Sequence, residues 1–257
     1  MQFDSPAEHY DRFMGRYVPT LAVALADAAG VGAGMRVLDV GCGPGGLARE
    51  LAARVGAGNV AAVDPAEQFA EACRARLPGA DVRVAPAEDL PFEGAAFDAA
   101  LASLVIAFMA DADAGVREMA RVTRPGGVVA ACMWDIPGGR MTMLSTFWAA
   151  VAEVDPTSQG ERSLVGVRDG EIAEVLRHAG LEDVQDGTLA TGAHYEDFDD
   201  FWEPFTLAVG PAGNHLRKLS ADHQEAVRRG CFSRLGEPAG PFDLDAVAWY
   251  ARGTVPG

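Results

Sequence analysis

Four glycines, Gly41, Gly43, Gly45 and Gly46, follow directly on the apolar run Val37-Leu38-Asp39-Val40, with Cys42 and Pro44 between them. A short apolar run ending abruptly in glycines reads as a buried strand leaving a sheet. Glycine tolerates positive φ there and lets a ligand come against bare backbone. The next stretch, Leu47-Ala-Arg-Glu-Leu-Ala-Ala-Arg54, has helical spacing, so the glycines open a helix. The first amides and the dipole of such a helix favour an anion by about 0.3–1 kcal/mol. This arrangement is a cradle for a cofactor.

Alternating elements must position that cradle. A helical segment over roughly 6–30 precedes a strand at 36–40, a helix at 45–55, a strand at 59–63 ending at Asp64, and a helix near 66–76. A strand at 82–85, the loop 86–92, a strand at 97–102, a helix at 111–123 and a strand at 128–134 complete the alternation. Strands alternating with helices imply an α/β, doubly wound, mostly parallel sheet with right-handed crossovers. Ligands in such sheets bind beyond the carboxyl ends of the strands, where strand order reverses. Gly41 to Gly45, Asp64, the loop 86–89 and Ser103 all fall at those ends. Later come helices at 141–154, 169–179, 198–209 and 215–235, and strand-like stretches at 183–194 and 244–254. The chain therefore reads as a single domain over 1–257, with N-terminal covering helices at 6–30 and helical lid or substrate-binding insertions at 136–170 and 196–236.

Composition bounds the partners. With 49% hydrophobic and 23% charged residues in a chain of 257, one sizeable core is affordable. The 37 acids outweigh 21 basic residues, and a net charge of −16 repels phosphate backbones and anionic lipid. Neither nucleic acid nor membrane is expected as a partner. Cys42, Cys73, Cys132 and Cys231 are scattered, with neither metal-ligand spacing nor a disulfide framework. With no signal-like leader and no apolar run of membrane-spanning length, a cytoplasmic protein is expected.

The segments Val37-Leu-Asp-Val-Gly-Cys-Gly-Pro-Gly-Gly46, Asp64, Ala87-Glu-Asp-Leu-Pro-Phe92, Phe97-Asp98 and Arg121-Val-Thr-Arg-Pro-Gly-Gly127 occur in the order and approximate spacing of one family. In them the chain resembles the class I S-adenosylmethionine-dependent methyltransferases, in particular the subgroup acting on small molecules, over about residues 10–135. The resemblance implies a Rossmann-like seven-stranded sheet whose last strand is antiparallel. It also implies a cofactor site. Backbone amides of Gly41, Gly43 and Gly45 would approach the methionine carboxylate, and Asp39 would complement the ammonium or hold the loop. Asp64 would accept the ribose hydroxyls. Ala87 would use its amide on adenine, with Glu88 or a backbone carbonyl meeting the adenine amino group, because Pro86 carries no polar side chain. Ser103 would touch the cofactor after the fourth strand. Tyr10 and Arg16, in the family-like Tyr10-Asp-Arg-Phe-Met-Gly-Arg-Tyr17, would close over the sulfonium and carboxylate.

Methyl transfer of this kind is an in-line displacement with a neutral thioether leaving, so positioning and water exclusion can carry most of it. A base is needed only when the nucleophile holds a high-pKa proton; His194 and Asp135 are of suitable type, but the sequence assigns no catalytic base and no metal ligand. Trp134, Met141, Met143, Phe147, Trp148, Phe198, Phe201, Trp202 and Phe205 are candidates for an apolar pocket, which points to an apolar or aromatic small-molecule acceptor. A monomer or homodimer suffices. Two alternatives share the cradle. One is an NAD(P)-dependent Rossmann oxidoreductase, since residues 41–46 satisfy G-x-G-x-x-G. The other is a non-catalytic S-adenosylmethionine-binding protein.

Overall fold

The computed structural model describes residues 6–257; residues 1–5 of the expected single domain lie outside the described residues. Two short helices, α1 (Ala7–Phe13) and α2 (Val18–Ala28), precede β1 (Val37–Val40). Then follow α3 (Gly46–Val55), β2 (Val60–Asp64), α4 (Glu67–Arg76), β3 (Asp81–Val84), β4 (Phe97–Ser103), α5 (Ala112–Val122) and β5 (Thr123–Trp134). The later half contributes α6 (Thr142–Val154), α7 (Glu171–His178), β6 (Glu182–Tyr195), α8 (Phe198–Thr206), α9 (Gly210–Leu216), α10 (Ala221–Arg234) and β7 (Phe242–Thr254). No helix among the described residues is long and apolar enough to cross a membrane.

The seven strands form one sheet in the order β3-β2-β1-β4-β5-β7-β6, with β7 antiparallel to both β5 and β6 and the other pairs parallel. Every residue of β1 and β2 is buried, the pattern of parallel strands covered on both faces by helices. At the β6 edge, burial alternates from Leu189 to Tyr195, so one face packs and the other meets solvent. The order reverses between β1 and β4, and the chain leaves those two strands in opposite directions, opening a crevice at their carboxyl ends.

Three expectations shift. The fifth strand begins at Thr123 because Thr123 pairs with Phe97 and Val128 with Ala99; residues 124–127 bulge out between the two pairings. The aromatic helix stops at Thr206, with Pro204 inside it and Ala208 at φ +57 just beyond. The helix expected at 215–235 is two, because Ser220 accepts the His223 amide and starts α10 afresh. The segments 136–170 and 196–236 carry α6 and α8–α10.

The N-terminal helices are stapled down on both sides. Asp11 pairs with Arg76 of α4 at 2.6 Å, and Arg12 pairs with Glu203 of α8 at 2.5 Å. The Tyr17 and Tyr195 hydroxyls share a buried 2.8 Å hydrogen bond.

Candidate functional site

Two adjoining cavities open at the crevice. The larger, of about 570 Å³, runs from Gly41, Gly43, Asp64, Ala87 and Ser103 past Leu104 and Val105 to Trp134, Ile136, Leu144 and Val209. The smaller, of about 310 Å³, lies over the glycine loop and is bordered by Asp39, Cys42, Gly46, Leu47, Arg49 and Arg76. Tyr10, Gly41, Ser103 and Leu104 belong to both walls.

The glycine loop owes its shape to its own hydrogen bonds. The Gly41 and Cys42 amides both donate to the Val63 carbonyl, at 2.8 and 2.9 Å. Gly43 donates to Asp64 Oδ2 at 2.8 Å, and Gly45 to the Cys42 carbonyl at 2.9 Å. The donor role expected for Gly41, Gly43 and Gly45 is therefore corrected: their N–H groups are already engaged by the protein. What these glycines supply is conformation and clearance. Gly41 sits at φ +71, where a Cβ would stand 2.5 Å from both γ-methyls of Val105. Gly45 lies outside both cavity walls, and a Cβ there would meet Cys73 Sγ at 3.0 Å. The start of α3 has no side-chain cap, and its first residues, Gly46 and Leu47, border the smaller cavity beside Arg49 and Arg76.

Two buried carboxyls frame the loop. Asp64 accepts from the Gly43 and Ala66 amides at 2.8 and 2.9 Å, yet burial still raises its pKa from the ordinary value. Asp39 is 1% exposed, and its oxygens make no well-formed hydrogen bond among the described residues; the Ala48 backbone amide is near enough only for a weak one. Burial pushes its carboxyl up to about 8, with the charge of Asp64 adding and the Ala48 backbone only partly offsetting. Tyr10, whose ring meets Phe69 edge-on at 5.6 Å, has its hydroxyl held firmly neutral by burial and by the nearby Asp64, Asp11 and Asp39.

Of the residues expected at the site, Tyr10, Gly41, Gly43, Asp64, Ala87, Glu88 and Ser103 line the larger cavity, and Asp39 lines the smaller. Glu88 also accepts the Asp111 amide at 3.1 Å, and Ser103 Oγ lies 3.6 Å from Cys132 Sγ. Arg16 does not join them. Its guanidinium grips Asp200 at 2.9 and 3.0 Å, donates to the His194 carbonyl at 2.8 Å and covers the Tyr195 ring. It is a staple between the N-terminal helices and β6–α8. His194 pairs with Asp243 at 2.8 Å on an exposed edge, and Asp135 is engaged by Arg140 and the Gly138 amide. Among the aromatic and methionine candidates, Trp134 reaches the cavity; Phe147 stacks on Phe205 at 4.4 Å in the core. Sequence reasoning missed Glu161, a buried acid on the wall of the larger cavity, and the Val209-Gly210-Pro211 rim. A single acid in a polar turn carries no periodic signal; only the fold brings Glu161 beneath Trp148.

Residues 38–131 match the family described as Methyltransferase domain. A curated protein of Mycobacterium tuberculosis (strain H37Rv) whose function is uncharacterised is 34% identical over 130 residues, covering 49% of this chain and 47% of its own length. The ubiquinone biosynthesis O-methyltransferase of Rhizobium etli is 39% identical over 100 residues, 37% of this chain and 40% of that protein. The chain thus spans less than half the length of either curated relative. In fold it is similar to Haemonchus contortus phosphoethanolamine N-methyltransferase 2, solved with phosphomonomethylethanolamine and S-adenosylhomocysteine. The TM-score is 0.60 at 21% identity, covering 98% of this chain and 57% of that one. The match runs from β1 to β5, the strands that build the glycine loop, Asp64 and the crevice. Over residues 38–131 the chain is similar to methyltransferase domains, and its fold is that of solved S-adenosylmethionine-dependent methyltransferases.

Proposed function

We propose that the protein transfers the methyl group of S-adenosylmethionine in-line to a small, largely apolar acceptor. The observation that carries this reading is the continuity of the larger cavity, which joins the cofactor-side residues Gly41, Asp64 and Ala87 to an apolar chamber under Trp134, Ile136 and Leu144.

The residues fit the cofactor's chemistry. The buried Asp39 carboxyl, met only weakly by the Ala48 backbone, suits an ammonium. The start of α3, with Arg49 and Arg76 beside it, suits the carboxylate of the same amino-acid end. Asp64, held by two backbone amides, keeps lone pairs for ribose hydroxyls, and Ala87 and Glu88 stand where adenine would lie. When bound, the cofactor supplies an electrophilic methyl carbon on a sulfonium. The chain's part is to hold and dry the reactants, with Tyr10, Phe13, Leu144, Val209 and Pro211 among the cavity walls. Alignment of this kind supplies roughly 7–11 kcal/mol. The similarity of residues 38–131 to methyltransferase domains favours this reading over the oxidoreductase alternative.

Four free, buried cysteines suit a reducing cytoplasmic setting, and the charge of −16 argues against nucleic acid and anionic membranes as partners. The test is transfer of label from methyl-tritiated S-adenosylmethionine to a panel of phenols, enols, amines and thiols. Label is expected in an organic-extractable product. Tight cofactor binding with no transfer to any acceptor would leave the non-catalytic alternative standing.

A further inference from the structure

Glu161 lies in the turn region between α6 and α7, 5% exposed, on the wall of the larger cavity. Its Oε2 accepts the Trp148 indole N–H at 3.0 Å, and among the described residues no donor pairs with Oε1. The same cavity carries the apolar side chains of Trp134, Ile136, Leu144, Val209 and Pro211. The turn is anchored at the end of β5, where a Cβ on Gly166 would meet Met133 Cβ at 3.5 Å. From β2, which ends in Asp64, to β5 is three strand spacings, ~14 Å. Glu161 thus shares the cavity with the cofactor-side acids, on a turn that packs against β5 rather than β2. A buried carboxyl with one hydrogen bond and a vacant lone-pair face is costly unless something else uses it.

We propose that Glu161 is the catalytic base and that the acceptor is a hydroxyl compound with an apolar body. This rests on the methyl-transfer reading above. As the acceptor oxygen forms its bond to the methyl carbon, the sulfur–carbon bond breaks and its electron pair returns to sulfur. The hydroxyl proton passes to Glu161 Oε1 and from there to solvent after product release. No oxidant or reductant is involved.

Burial pushes the Glu161 carboxyl from 4.5 up to about 7, against a lowering pull from the Trp148 hydrogen bond. This is the range in which a base works best near neutral pH. The groups packed around it leave that balance alone. His215 of α9 meets the Trp148 ring edge-on at 5.4 Å and lies 3.5 Å from Asp155. Arg168 is turned to Glu171 and the Arg162 carbonyl. Asp64, Glu88 and Tyr10 belong to the cofactor side of the same cavity.

The experiment measures labelled-methyl transfer to a phenol and enol panel as kcat and kcat/KM against pH, beside calorimetric affinity for S-adenosylhomocysteine. The wild type should show an ascending limb centred near pH 7. E161Q should lose about 10²- to 10⁴-fold in kcat and the limb with it, at unchanged S-adenosylhomocysteine affinity. W148F keeps the carboxyl but removes the hydrogen bond that lowers its pKa, so its limb should move to higher pH; this arm stands even if E161Q folds poorly. Transfer by E161Q within threefold of wild type, an unmoved limb in W148F, or transfer to amines or thiols alone would overturn the proposal. Failure of the wild type to methylate anything would instead bring down the methyl-transfer reading beneath it.

Discussion

Replacing Asp39 with asparagine keeps the size of a buried side chain and removes its charge. In the folded chain this carboxyl rises from 3.8 to about 8, so at pH 7 roughly one molecule in ten carries it ionised. Pairing with the cofactor's ammonium requires the ionised form. Binding at pH 7 should therefore release close to one proton, and affinity should climb almost tenfold per pH unit, ~1.4 kcal/mol, until pH nears 8. Above that, an α-amino group itself deprotonates at about 8, and the slope should reverse. The same residue sets a stability trend. The folded chain keeps a proton that the unfolded chain gives up above about pH 4. Stability is thus fullest at low pH and falls as pH rises through the window from 3.8 to about 8, with a ceiling of roughly 6 kcal/mol. Asp39→Asn should flatten both trends. Titration calorimetry of S-adenosylhomocysteine in phosphate and in Tris reads the proton directly, and melting between pH 5 and 8 reads the stability. Equal heats in the two buffers at pH 7, or an unchanged pH slope in the variant, would refute the assignment of Asp39 to the ammonium.

Asp64→Ala should weaken cofactor binding and also strand the Gly43 and Ala66 amides, each at about 1–3 kcal/mol; calorimetry and denaturant melts on the same samples check it, and unchanged affinity would remove Asp64 from the site. Gly41→Ala places a Cβ 2.5 Å from Val105 at φ +71, so it should lose about 1–3 kcal/mol of stability from backbone strain alone. Val105→Ala in the same chain should restore only the steric part in a chemical melt. Tyr17→Phe and Tyr195→Phe each remove one end of a buried 2.8 Å hydrogen bond. Each should cost about 1 kcal/mol, with the double variant losing less than the sum in urea unfolding.

The strands of the crevice were legible because physics concentrates there: continuous apolar runs bounded by glycines mark β1 and β2, and Asp64 ends its strand as expected. The late strand pair, too, lies within two residues of its expected limits at each end. Arg16 was misplaced because a guanidinium beside aromatics does not tell which carboxylate will meet it. The answer, Asp200, is 184 positions away in the chain. The aromatic stripes showed which helix faces are apolar but not what they would face, so Phe147 and Phe205 went to the core rather than the pocket. The spent amides of Gly41 and Gly43 were equally hidden, since a hydrogen bond to the Val63 carbonyl or to Asp64 depends on register between strands.

Helix α1 is only seven residues long, yet it is tied to α4 through Asp11–Arg76 and to α8 through Arg12–Glu203. Both pairs are substantially exposed, so each contributes about 0–1 kcal/mol and weakens with salt. The buried Phe13, edge-on to Phe205 at 5.3 Å, supplies the apolar part of the hold. Tyr10 and Phe13 also line the chamber that the methyl-transfer proposal gives to donor and acceptor. Under that proposal, a guest that orders α1 would improve the grip on the other by an equal factor, because such coupling is reciprocal.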